Sequence, residues 1–321
     1  MKNYSMYQNE QALQALAGCY DLHVHPNPDN KPRAFDDYEL LQELDHFNMG
    51  GAVIKLQYGD TIGRGYLANK YFNCKAKLYD SMVLCNALGG LNPVGVEEAA
   101  KMGVKMVWFP TRNAMFDQCF NPPDMRTKGL YILNEYGDLK PEVYEILEVV
   151  RANNMTVSTG HMSIKEILKL CREARKMNVQ IIMTHPEYCR SYVPLEQQIE
   201  MAKLGVIIEK LWLMVSESFD GNEAFLQHLL AYEQKNIARA DKEMMKHLPP
   251  TWQPIPMAQM ADEIRQIGVE NILLGTDSGE PGGDWCGVGM YKFCDVLLKH
   301  HFTIEEIQKM GRHNAMKALH L

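Results

Sequence analysis

The sequence predicts an α/β fold, a (β/α)8 TIM barrel with insertions after strands four and seven, spanning residues 1–321 as one domain. Three observations lead there. Short apolar runs rich in β-branched residues alternate with polar or glycine-containing loops and with segments of helical periodicity, the pattern of parallel strands joined by crossover helices. Eight such runs occur, the number that closes a barrel. With 321 residues, 46% of them hydrophobic, the chain can bury a core of that size in a single domain.

The strands are expected to begin near Cys19 (CYDLHVH), Gly51 (GAVIKLQY), Ser81 (SMVLCNAL), Val104 (VKMVWFP), Met155 (MTVSTGH), Val179 (VQIIMTH), Gly205 (GVIIEKLWL) and Asn271 (NILLGTDSG). Helical segments fill the gaps, among them residues 36–47, 141–153, 163–177, 194–204 and 255–267, with residues 303–319 closing the barrel after the eighth strand. Ser163 with Glu166, and Thr303 with Glu306, read as capping boxes, and Pro141 suits a first helical turn.

Two stretches exceed what a bare barrel needs. Residues 113–140, after strand four, contain Asn-Pro-Pro and then YILNEYGDL, which reads as a small hairpin turning at Tyr136, Gly137 and Asp138. Residues 216–254, after strand seven, contain a long helix with Phe225, Leu229, Tyr232 and Asn236 near one stripe. Insertions that follow strands sit at the active-site end of a barrel, so each reads as a lid, a subunit contact in a homo-oligomer, or a solvated decoration.

A net charge of −7 gives no general attraction to nucleic acid or to anionic membranes. The chain contains no run of about 18 apolar residues, and residues 1–14 are polar, so a cytoplasmic protein acting on a small molecule is expected. The eight cysteines form no CxxC pair and the 21 methionines scatter through apolar stretches, as buried thiols and core fillers do.

Chemistry-bearing residues gather at strand ends. In Asp21-Leu22-His23-Val24-His25, strict alternation places Asp21, His23 and His25 on one face and turns Leu22 and Val24 toward the helices. His161 ends the fifth strand, His185 the sixth and Asp277 the eighth. In a barrel those ends surround one central point, where active sites of this fold are built.

This set, HVH on strand one, His161 on strand five, His185 on strand six and Asp277 on strand eight, resembles the amidohydrolase superfamily of metal-dependent barrel hydrolases, including a branch with TGH and THPE strand ends. The resemblance implies that His23, His25, His161 and Asp277 bind a divalent metal. It implies that His185 holds a second metal or hydrogen-bonds the reacting water or carbonyl. Zinc is the default, with Mn, Fe or Ni equally compatible with imidazole and carboxylate ligands. A metal there brings the pKa of water toward neutrality and polarises the bond under attack, and Asp277 takes the proton and returns it to the leaving group.

Strand four ends VWFPT, without the Lys or Glu that bridges two metals in binuclear members, which favours one metal. Lys55 and Glu209 lie within apolar strands where an unpaired charge is costly. They are therefore candidates for the barrel interior, as site contacts or partners for a buried charge, with Lys55 alternatively carboxylated as a metal bridge or snorkelling outward. Arg112, just past strand four, is placed to clamp a carboxylate or phosphate, or to form a surface ion pair. Glu187 and Ser278 lie in rim loops, where they either orient ligands or are simply solvated. Gly279 to Gly283 lacks the strand-to-helix context of a phosphate-binding loop.

Hydrolysis of an amide, lactone or ester of a small molecule is the leading reading. Decarboxylation on one metal, and phosphoester cleavage of the polymerase-and-histidinol-phosphatase type, stay open, as does a silent barrel with a structural metal.

Overall fold

The computed structural model describes residues 4–121, 128–238 and 252–321. Nine strand segments alternate with helices: β1 (Tyr20–Val24), β2 (Gly51–Ile54), β3 (Lys77–Tyr79), β4 (Ser81–Val83), β5 (Met106–Trp108), β6 (Thr156–Ser158), β7 (Gln180–Met183), β8 (Ile207–Leu211) and β9 (Ile272–Gly275). All neighbours pair in parallel, in the orders β1-β2-β3 and β4 through β9. β3 and β4 are separated only by Asp80 and occupy one barrel position, so the nine segments supply the eight expected strands. A parallel bridge between Val24 and Ser278, with the His25 N–H donating to the Ser278 carbonyl at 2.8 Å, joins the first strand to the last.

The first strand departs from strict alternation. Tyr20 faces Gly51 and Asp21 faces Ala52, but the next aligned pair is Val24 with Ile54, three residues on β1 against two on β2. The extra residue is a bulge, which re-aims side chains. Leu22 consequently points into the barrel with Val53, Val83, Met106, Ile182 and Leu273. Asp21 turns outward, holding Thr276 and lying 3.3 Å from Cys286 Sγ. The expected places of Asp21 and Leu22 are thus exchanged, while His23 still reaches the interior.

The bottom of the barrel is plugged by Ala315, Ala318 and Leu319. The closing helix, expected as one piece, is instead a helix Ile304–Gln308, a π-turn Lys309–His313 and a helix Asn314–Leu319. The redirection lets the Asn314 amide donate to the carbonyls of Val269 and Ile272, and Gly311 packs where a Cβ would meet Cys19 Sγ at 2.8 Å. Capping boxes at Ser163 and Thr303 form as the sequence indicates.

In the first insertion Leu133 and Leu139 bridge antiparallel, with Gly137 at φ 84 in the turn. The Asn-Pro-Pro prolines lie outside the described residues. In the second insertion the helix Glu223–Ile237 forms, and residues 239–251 lie outside the described set. Among the described residues no helix is long and apolar enough to cross a membrane.

Candidate functional site

At the C-terminal ends of the strands, His23, His25 and Asp277 bring three ligand atoms within 4.8 Å of one another. Asp277 Oδ1 stands 3.3 Å from His23 Nε2 and 3.2 Å from His25 Nε2. The other ring nitrogens are already engaged. His25 Nδ1 donates to the Lys55 carbonyl at 3.0 Å, and His23 Nδ1 faces the Glu209 carboxylate at 3.2 Å. Burial, then the nearby cations, lowers both imidazole pKa values, that of His23 to about 3.

The rings are therefore neutral, with the proton of His25 on Nδ1. Its Nε2 is buried and has no hydrogen-bond partner. Lone pairs and a carboxylate oxygen converge with no proton between His25 and Asp277, a donor set that fits a divalent cation held by two imidazoles and a carboxylate. Asp277 (φ 56) and His185 (φ 22) both carry positive φ at strand ends, costly for non-glycine residues and concentrated at functional sites.

Lys55 and Glu209 both face the interior. Lys55 Nζ lies 2.9 Å from His23 Nε2 and 4.0 Å above the Trp108 ring. Glu209 sits behind His23 and also accepts the His185 backbone N–H at 3.1 Å. Burial pushes the lysine down to about 8 and the glutamate up to about 8, with their mutual attraction opposing both shifts.

His161 and His185 flank the cluster without joining its three-atom convergence. The His185 ring stacks 5.4 Å from His23 and lies 5.2 Å from His161. Ser191 Oγ donates to the His185 carbonyl at 3.0 Å, so it accepts from His185 Nδ1 at 2.7 Å. His161 Nδ1 lies 2.8 Å from Asp117 Oδ2. Both histidines line the cavity and have Nε2 left for it. The end of the His161 strand is pinned by Gly160, at φ 63, where a Cβ would stand 2.3 Å from the Phe109 carbonyl oxygen.

A buried chain of charges extends from His161. Asp117 Oδ1 accepts from Arg190 Nη1 at 3.0 Å, and Arg190 Nη2 donates to Glu233 Oε2 at 3.2 Å. Tyr188 Oη donates to the same glutamate at 2.6 Å. Asp117 and Glu233 come from the two insertions, so both insertions reach the site. Burial works to raise the Asp117 carboxyl, but Arg190 and Arg112 outweigh it and hold the group well below the carboxylate range. Nothing in the spacing of Asp117, Tyr188, Arg190 or Glu233 marks them, since their partners are distant in sequence.

Arg112 lines the cavity, 3.6 Å from Asp117. Glu187 does not orient a ligand. It turns to the helix layer and pairs with Lys210, which also holds Glu263 and Gln198. Ser278 contributes its backbone to strand closure, and Glu280, in the glycine-rich loop, pairs with Lys31 and with Arg33. The cavity encloses about 390 Å³, with His23, Lys55, His161, His185 and Asp277 in its lining and Phe225, Leu229 and Trp252 among its apolar walls.

Residues 18–209 match a family described as "Family of unknown function (DUF6282)", a span that includes His23, His25, Lys55, Arg112, His161, His185 and Glu209 but not Asp277. No curated protein matches the sequence. The structure is similar to an amidohydrolase from Pseudomonas aeruginosa, at 12% identity and TM-score 0.61, over 96% of this chain and 97% of that one. It is similar to the probable dipeptidase PvdM from Pseudomonas aeruginosa, at 12% identity and TM-score 0.63, over 99% and 98%. It is also similar to a dihydroorotase from Campylobacter jejuni, at 13% identity and TM-score 0.53, over 95% and 84%. The chain belongs to the family of unknown function DUF6282 and has the amidohydrolase-superfamily fold.

Proposed function

We propose that the protein is a metal-dependent hydrolase that directs water onto an amide, lactone or ester carbonyl of a small molecule. The observation that carries the reading is the convergence of His23 Nε2, His25 Nε2 and an Asp277 oxygen in a cavity open to a small ligand. A divalent metal, when bound, supplies acidified water and polarises the carbonyl.

The chain's own residues do the rest. Glu209 and the Lys55 carbonyl hold the two ligand imidazoles in the orientation that presents Nε2. Asp277, partly open to the cavity, accepts the water's proton and returns it to the leaving group. His185, protonated on Nδ1, offers a lone pair at Nε2, so in its neutral form it accepts a proton or binds metal and does not donate to a carbonyl. Lys55 is the donor nearest the cluster, suited to hydrogen-bond a developing negative oxygen. Buried walls exclude bulk water and strengthen each of these contacts.

Elemental analysis of purified protein beside His23→Ala and Asp277→Ala variants, with an amide, ester and lactone panel, tests the reading. One equivalent of transition metal, lost together with hydrolysis in both variants, is expected. Metal-supplemented wild-type protein that retains none would sink it.

A further inference from the structure

Among the described residues that line the cavity, one cation has a partner that is already taken. The Arg112 guanidinium makes no hydrogen bond to a described residue. Asp117, 3.6 Å away, gives one oxygen to His161 and the other to Arg190. A planar fork of donors facing a ligand-sized space is matched by a planar carboxylate. Lys31 also lines the cavity, but its charge is met by Glu280, which it shares with Arg33.

The lining holds three bases, Lys31, Lys55 and Arg112, and three acids, Glu233, Asp277 and Glu280. These charges balance before a metal is counted, so the choice of a carboxylate rests on shape: a planar, singly charged group fits the donor fork of Arg112. Beside it, Phe225 and Leu229 of the helix Glu223–Ile237, with Met214 and Trp252, give an apolar surface.

We propose that the substrate carries one carboxylate, received by Arg112, on an aromatic or branched apolar body that packs against Phe225 and Leu229. This rests on the reading of the cavity as a hydrolase active site, and it names the substrate class of that site.

Isothermal titration of the metal-loaded protein with N-acetyl-L-phenylalanine, N-acetyl-L-leucine and their uncharged amides tests it, with each probe recovered intact by chromatography so that binding is read apart from turnover. Each acid is expected to bind about tenfold or more tighter than its amide, the size of one charge-assisted hydrogen bond. That preference should vanish in Arg112→Met and in Arg112→Gln, the second variant guarding against misfolding of the first. Phe225→Ala should weaken acid and amide alike. Equal affinities in wild-type protein, a preference that survives both Arg112 variants, or no binding of any probe at millimolar concentration would each overturn the proposal. The two readings fail separately. Selective acid binding without cleavage of any panel member removes the hydrolase, while equal cleavage of charged and uncharged esters removes the carboxylate site and keeps the hydrolase.

Discussion

Asp117 Oδ2 lies 2.8 Å from His161 Nδ1, and the opposite oxygen of the same carboxylate accepts from Arg190 at 3.0 Å. One buried acid therefore orients a site histidine and neutralises a fully buried cation. Asp117→Asn keeps the shape and weakens the acceptor, so a loss of about 10–100-fold in kcat/KM is expected. It is checked on any panel ester that the wild type cleaves. Asp117→Ala leaves Arg190 without its partner, and urea denaturation should show a loss of about 3–5 kcal/mol.

Glu209 holds the far side of His23. Glu209→Gln should lower affinity for Zn²⁺ by about 10–100-fold, since the ring loses its orienting carboxyl group. A chelator competition titration reads this directly, and unchanged affinity would mean that His23 is positioned by packing alone.

Lys210 is a buried cation of another kind, held by Glu187 and Glu263 between the strands and the helix layer. Lys210→Met strands both carboxylates, and a loss of about 3–5 kcal/mol in folding stability is expected. Metal stoichiometry should stay at the wild-type value, because no Lys210 contact reaches the cluster.

At Glu280, burial acts to raise the carboxyl, but Lys31 and Arg33 outweigh it and hold the group below its ordinary value of 4.5. The unfolded chain then takes up this proton more readily than the folded one. The contribution is complete above the ordinary value and is lost as the pH falls through the depressed folded value. Partial exposure limits it to about 1 kcal/mol or less. Urea melts of wild type and Glu280→Gln should differ at neutral pH and converge in acid, and a gap that persists in acid would contradict the assignment.

Much of the fold was legible in sequence because parallel strands buried on both faces must be continuous apolar runs, and each run ends where the chain becomes polar. That His23, His25 and Asp277 come together was legible for a related reason: residues at strand ends have a fixed address in a barrel. The bulge in β1 was not, since its signature lies in the pairing with β2 rather than in β1 itself. Neither reading of Glu187 names its partner, because a loop residue's direction depends on the neighbour it finds, here Lys210.

The sequence by itself determined the order of elements, the strand ends that carry imidazole and carboxylate, and the acidic charge balance. Only the tertiary structure decided which of those groups meet. It turned Leu22 inward and Asp21 outward, separated the His23, His25 and Asp277 convergence from His161 and His185, and recruited Asp117 and Glu233 from the two insertions. Ligand-type residues at strand ends follow from local periodicity, whereas the partners of a buried charge are chosen by long-range contacts that must satisfy it.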